Sequence, residues 1–120
     1  MKVAFPVSGE TPDSVIDSRF GRAGKFLVMD FDSGDFSLSD NIQNLNAVQG
    51  AGIQAAENVV KSGASVLVAR HCGPKAFKVL SASGVKIYLT EAGTVREAFD
   101  LLKKGKLKTA GKADVEGHHI

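Results

Sequence analysis

The chain has a single cysteine among its 120 residues. It therefore cannot form an internal disulfide, which agrees with a reducing compartment. It also has no Cys-x-x-Cys and no pair of histidines at metal-binding spacing, which argues against a tetrahedral zinc site or a cysteine-ligated iron–sulfur cluster. Long hydrophobic runs are missing too: stretches such as Ser65–Ala69 are far too short to span a bilayer. The amino terminus, MKVAFPV, has one lysine followed by a strand-like run, and it lacks the apolar core and small-residue cleavage site of a signal peptide. The expected location is the cytoplasm, with no membrane partner.

What remains is ordinary globular material. Hydrophobic residues make up 43% and charged residues 23%, which suits one domain able to bury a core. The net charge of +2 conceals an asymmetry, because residues 1–60 sum to −4 and residues 61–120 to +6. The excess lies in Lys103, Lys104, Lys106, Lys108 and Lys112. A solvated tail that favours a helix carboxyl end accounts for these lysines. Without arginine and interleaved aromatics, nucleic acid is not an expected partner.

The pattern along the chain predicts strands at Lys2–Val7, Lys25–Phe31, Asp35–Ser39, Ser65–Ala69 and Val85–Leu89. Pro6 lacks an N–H, so it is expected at the end of its strand or on an unpaired edge. Asp32-Ser33-Gly34 marks a hairpin turn. Helices are expected from Gly50 to about Lys61, from Pro74 to Gly84, and after the capping box Thr94-x-x-Glu97. Ser8–Arg22 and the Asn/Gln-rich Asp40–Gln49 read as loops, the second exposed and mobile. The order β-β-β-α-β-α-β-α implies an α/β fold with a mixed five-stranded sheet and helices on its faces, as in ribonuclease H-like folds. A single domain is expected over residues 1–104, followed by a flexible basic tail, residues 105–120, that contains His118 and His119.

Ligands in such sheets gather beyond the carboxyl ends of the parallel strands. Ser8–Arg22, Arg70–Gly73 and Thr90–Gly93 are expected to converge there. Gly73 and Pro74 begin a helix, whose free N–H groups and positive dipole end favour an anion. His71 and Cys72 are candidate metal ligands, since a cysteine at a helix start tends toward thiolate. The alternative is a small buried cysteine beside a hydrogen-bonded loop histidine. Arg19, Arg22 and Lys25 lie within seven residues and suit an anion, although surface ion pairing would also explain them. Gly50–Ala55 fits the Gly-x-Gly-x-x-Gly/Ala pattern, but neither an apolar strand before it nor an acid beyond it makes a dinucleotide site. Gly50 still offers a second cluster of N–H donors.

Taken together, Ser18-Arg19-Phe20-Gly21 with Ala23 and Phe26, the Asn-rich loop, the glycine-started helix at 50 and Gly73-Pro74 after a buried strand resemble the dinitrogenase iron–molybdenum cofactor-binding family. The likeness spans residues 1 to about 104. It implies a ribonuclease H-like fold and a non-enzymatic carrier, storage or biosynthesis role. Its cargo would be a molybdenum-containing metal–sulfur cluster, Mo-Fe-S or Mo-Cu-S, exchanged with a donor or acceptor protein. Thiomolybdate-type clusters are bulky anions with soft sulfide surfaces, so arginine and backbone N–H groups can hold them. On that reading Arg19, Arg22, Gly50, Arg70 and Gly73 bind the cluster, and His71 and Cys72 are its candidate metal ligands. Two other functions fit the pattern less well. A ribonuclease H-type nuclease would need carboxylates that the first strand lacks, and a protein–protein adaptor would carry no cluster.

Overall fold

The computed structural model describes residues 1–111. Six strands form one mixed sheet in the order β3-β2-β1-β4-β5-β6. They are β1 (Lys2–Val7), β2 (Lys25–Asp30), β3 (Phe36–Asp40), β4 (Val66–Ala69), β5 (Lys86–Leu89) and β6 (Lys108–Thr109). The central trio β1, β4 and β5 is parallel, while β2, β3 and β6 run antiparallel to their neighbours. Three helices complete the fold: α1 (Ala51–Lys61), α2 (Pro74–Ala82) and α3 (Val95–Lys103).

β4 shows why the layers form. All four of its residues are buried, with Leu67 and Ala69 facing α1 and α2 while Val66 and Val68 face α3. Side chains alternate along a strand, so an unbroken apolar run can serve two cores at once. The first core gathers Ala55, Ala56, Val59, Ala76 and Leu80 from the paired helices. The second gathers Val95, Ala98 and Leu102 from α3 with Ile16. The hairpin between β2 and β3 is held by the Asp30 carboxylate, which accepts the N–H groups of Asp32 and Ser33 at 2.9 and 3.0 Å. Those bonds hold its pKa below the usual carboxylate value.

Two expectations change. The sheet has six strands rather than five, because β6 folds back onto β5 and Ala110 N–H donates to Ile87 O at 2.7 Å. Two residues of a lysine-rich stretch carry no readable strand period. Leu107 nevertheless packs on the second core, so the folded chain continues past the boundary expected at residue 104. Pro6 lies in central β1, one residue before its end and beyond the stretch paired with β4. The register with β4 covers only Val3 and Ala4, and the Pro6 carbonyl accepts the Asp17 N–H at 2.8 Å. Lys112, His118 and His119 lie outside the described residues. Among the described residues no helix is long and apolar enough to cross a membrane.

Candidate functional site

The loop after β1 is pinned before it reaches the site. Val7 bridges Ile16, Ile16 N–H donates to Gly93 O at 2.9 Å, and the Arg70 Nε–H donates to Ile16 O at 3.2 Å. The chain then makes a short 3-10 turn, Phe20–Arg22, whose Phe20 is buried and packs on Phe26 with ring centroids 5.6 Å apart. This aromatic anchor fixes the turn against the first core. Gly21 makes the next contact a close one. A Cβ there would lie 3.0 Å from Gly52 N and 3.2 Å from the Ala51 carbonyl carbon, so any larger residue would push the turn and the start of α1 apart by a few tenths of an ångström.

Beside that contact α1 meets α2, with Gly52 facing Ala76. The result is an open pocket of about 490 Å³ lined by Ser18–Arg22, Gly52, His71 and Gly73–Ala76. Two helix amino termini border it. Gly50 and Gly73 are their N-caps, and neither helix receives a side-chain cap. The first helical N–H groups therefore have no partner of their own. Arg19, Arg22, His71 and Lys75 add cationic or donor side chains, and no carboxylate is among the lining residues. Arg19 is held at its base by Asp17, which accepts its backbone N–H at 2.9 Å and its Nε–H at 3.3 Å. Among the described residues Arg22 and Lys75 make no ion pair.

The pocket thus joins Arg19, Arg22, His71 and Gly73, as the sequence suggested. It does not take in the others. Cys72 is 1% exposed and belongs to the first core. Burial pushes its thiol up to about 12. Cys72 is therefore a buried thiol of the first core and is not among the residues that line the pocket. Arg70 continues the alternation of β4 and turns toward Ile16, where it braces the loop. Gly50 caps α1 without lining the pocket; Gly52 takes that place. Lys25 pairs with Glu10 at 3.7 Å instead of joining the arginines. Thr90–Gly93 does not converge on the site either, because it serves the start of α3 on the opposite face of the sheet. Gly93 and Thr94 N–H both donate to Glu97 Oε1.

Two features escaped the sequence reading. Lys75 stands in the first turn of a helix, where the dipole disfavours a cation. That mismatch was the available signal for an anion nearby. The second is Asn41, expected in an exposed loop but buried beneath the 3-10 turn. A lone asparagine in an amide-rich stretch carries no such signal.

Chemically, the pocket offers cations and backbone donors. Among the described residues no three His, Cys, Asp or Glu side chains converge to hold a bare metal ion. The donor set fits a bulky anion held by charge and hydrogen bonds.

The chain is similar to several known proteins. The apo form of the orange protein from Desulfovibrio gigas is 38% identical with a TM-score of 0.83, over 91% of this chain and 92% of that one. A Thermotoga protein of the DUF35 family, solved by NMR, is 34% identical with a TM-score of 0.73, over 90% and 91% of the two chains. An uncharacterised protein of Methanocaldococcus jannaschii is 26% identical over 110 residues, which is 90% of each chain. Residues 1–105 match the family described as dinitrogenase iron-molybdenum cofactor. With a match of that length and two relatives above 30% identity, the chain belongs to the dinitrogenase iron–molybdenum cofactor family.

Proposed function

We propose that this protein binds an anionic molybdenum-containing metal–sulfur cluster, Mo-Cu-S or Mo-Fe-S, as cargo, and that it carries, stores or helps assemble it without catalysing a reaction. One observation carries the reading: two uncapped helix amino termini border a single pocket whose side-chain charges are all basic. The N–H groups of α1 and α2 would face the cluster's sulfide or oxo atoms, and Arg19, Arg22 and Lys75 would balance its charge. His71 is the remaining candidate for direct ligation, and Cys72 would contribute packing. A donor or acceptor protein would approach over the same open mouth. The strand order 3-2-1-4-5, with the second strand antiparallel, supports a ribonuclease H-like assignment in which β6 is an addition.

The test is a titration of the purified protein with tetrathiomolybdate, alone and with copper(I), under reducing conditions. Saturable binding with new charge-transfer absorption is expected. Arg19→Ala with Arg22→Ala should lower affinity by about tenfold per arginine, the lower range for lost charge-assisted contacts at partly solvated sites. Unchanged spectra and unchanged thermal stability in the wild type would sink the proposal. A double variant that binds normally would remove the 3-10 turn from the site.

A further inference from the structure

Asn41 is one of only two buried polar residues among those described, at 7% exposure. All of its side-chain capacity is used. Its Nδ2 donates to Ala23 O at 2.8 Å and to Gly21 O at 3.3 Å. Its Oδ1 accepts from Asn58 Nδ2 at 2.8 Å and from Gln43 Nε2 at 3.3 Å. The amide orientation follows from the network, because two carbonyls face one end and two donors the other. The backbone joins in, with Asn41 N–H donating to Gly24 O at 3.1 Å.

The two carbonyls that Asn41 grips flank Arg22 on either side. Gln43 reinforces the grip, donating to Gly21 O at 3.3 Å and to Ala51 O at 3.2 Å, and so ties the 3-10 turn to the first residue of α1. Asn58, about two turns further along α1, ties the same clamp to the body of the helix. The turn is thus held from below by an all-amide network that links the end of β3, the turn itself and α1. None of these amides titrates, so the clamp does not depend on pH.

Arg22 itself has an exposed side chain and no ion-pair partner among the described residues. Two openings meet at it: the anion pocket, and a second pocket of about 380 Å³ lined by Asn41, Gln43 and Gln54. Nothing on its own side chain fixes its position. Its placement comes from its backbone, and that backbone is set by Arg22 N–H donating to Arg19 O at 3.0 Å and by the Asn41 clamp.

We infer that Asn41 is a positioning residue for anion binding, acting through the backbone of Gly21–Ala23 to hold Arg22 at the pocket. The inference rests on the anion-binding reading proposed above. It goes beyond that reading in assigning binding energy to a residue that does not touch the pocket. Asn41→Asp is the informative change. It keeps the acceptor half that Asn58 and Gln43 use, and replaces the donor half with an oxygen facing two carbonyl oxygens. The turn then loses both bonds and is pushed outward.

The experiment is a double-mutant cycle of Asn41→Asp and Arg22→Ala, read by tetrathiomolybdate titration together with amide hydrogen exchange. Asn41→Asp should weaken binding by roughly tenfold when Arg22 is present and by less than about twofold in the Arg22→Ala background, since coupled residues are not additive. Exchange of the Arg22 N–H should quicken by roughly tenfold, while amides of α3 keep wild-type rates. An equal binding penalty in both backgrounds, or an unchanged Arg22 exchange rate, would overturn the inference. If the wild type fails to bind, the anion-binding reading falls, and the exchange data still decide whether Asn41 sets the turn. Should Asn41→Asp fail to fold, Asn58→Ala at a half-buried helix position removes one donor to Asn41 Oδ1. It must then quicken Arg22 exchange in the same direction, or the inference is wrong.

Discussion

The three helices of this fold begin in two different ways. α3 opens with a complete capping box: Thr94 Oγ1 accepts Glu97 N–H at 3.2 Å, and Glu97 Oε1 accepts Thr94 N–H at 3.0 Å. Glu97 also brings an acid to the positive end of the dipole. α1 and α2 open on Gly50 and Gly73 with no side-chain cap and no acid in the first turn. Glycine is not forced on either position, since both have φ near −70° and open space where a Cβ would stand. Serine or aspartate would cap better at no steric cost. The contrast separates a helix start capped from within the chain from two whose first donors receive no side-chain cap.

Filling the two open starts should produce the largest effect. Gly50→Asp with Gly73→Asp places carboxylates at the two uncapped helix starts. Thiomolybdate affinity should drop by at least about a hundredfold, because two cationic cradles become self-satisfied. The same variant should melt no lower than the wild type, with a gain of about 0.3–1 kcal/mol per helix from the new cap and dipole contacts. Calorimetric titration beside thermal melts separates the two quantities. Loss of binding accompanied by lower stability would mean that the glycines serve the fold.

Next comes the joint between the turn and α1. Gly21→Ala drives a Cβ into the backbone of Ala51 and Gly52, which cannot yield as a side-chain tip would. A cost of about 1–3 kcal/mol is expected, as for overpacking at a rigid contact. Binding should weaken with it, since Arg22 moves with the turn. Denaturant unfolding that matches the wild type would show that the contact is looser than its geometry.

Breaking the closed start instead should touch stability only. Thr94→Ala removes the capping hydroxyl and should cost about 0.5–2 kcal/mol. Its thiomolybdate affinity should stay within about twofold of the wild type. An affinity loss matching that of the arginine variants would show that the opposite face of the sheet does communicate with the pocket.

The smallest expected effect on binding belongs to Cys72. Cys72→Ala should leave thiomolybdate affinity within about twofold, because the sulfur is buried in the first core. The wild-type thiol should resist alkylation until the protein unfolds. Burial raises its folded-state pKa to about 12, above the ordinary thiol range. The folded state therefore keeps a proton that the unfolded chain gives up, and stability should decline as pH rises from the ordinary thiol range toward 12. Rapid labelling of the native protein at pH 8 would contradict this and return Cys72 to the list of ligands.

Much of this was legible in the residues themselves. The apolar run in β4, the proline that starts α2 and the Thr94–Glu97 box each report a local physical constraint, and each element lies where that constraint put it. Arg19, Arg22, His71 and Gly73 were also readable as neighbours, because parallel strands deliver their following loops to one edge of the sheet. The family resemblance rested on these same short signals. Where the reading failed, the deciding interaction joined residues far apart in the chain. Arg70 turned to Ile16, the Gly93 carbonyl accepted the Ile16 N–H, and Lys108–Thr109 found the open edge of β5.

Local sequence thus determined the elements and their caps, because periodicity and capping act over a few residues. Only the tertiary structure decided which candidates face the pocket. Cys72 carries the right chemistry at the right place in the sequence, yet one step along the chain from the exposed His71 it enters the core. Burial raises its thiol pKa. Asn41 shows the converse. It is unremarked in an amide-rich stretch, and the fold makes it the buried clamp beneath Arg22, because the two carbonyls it holds lie about twenty residues away in the chain.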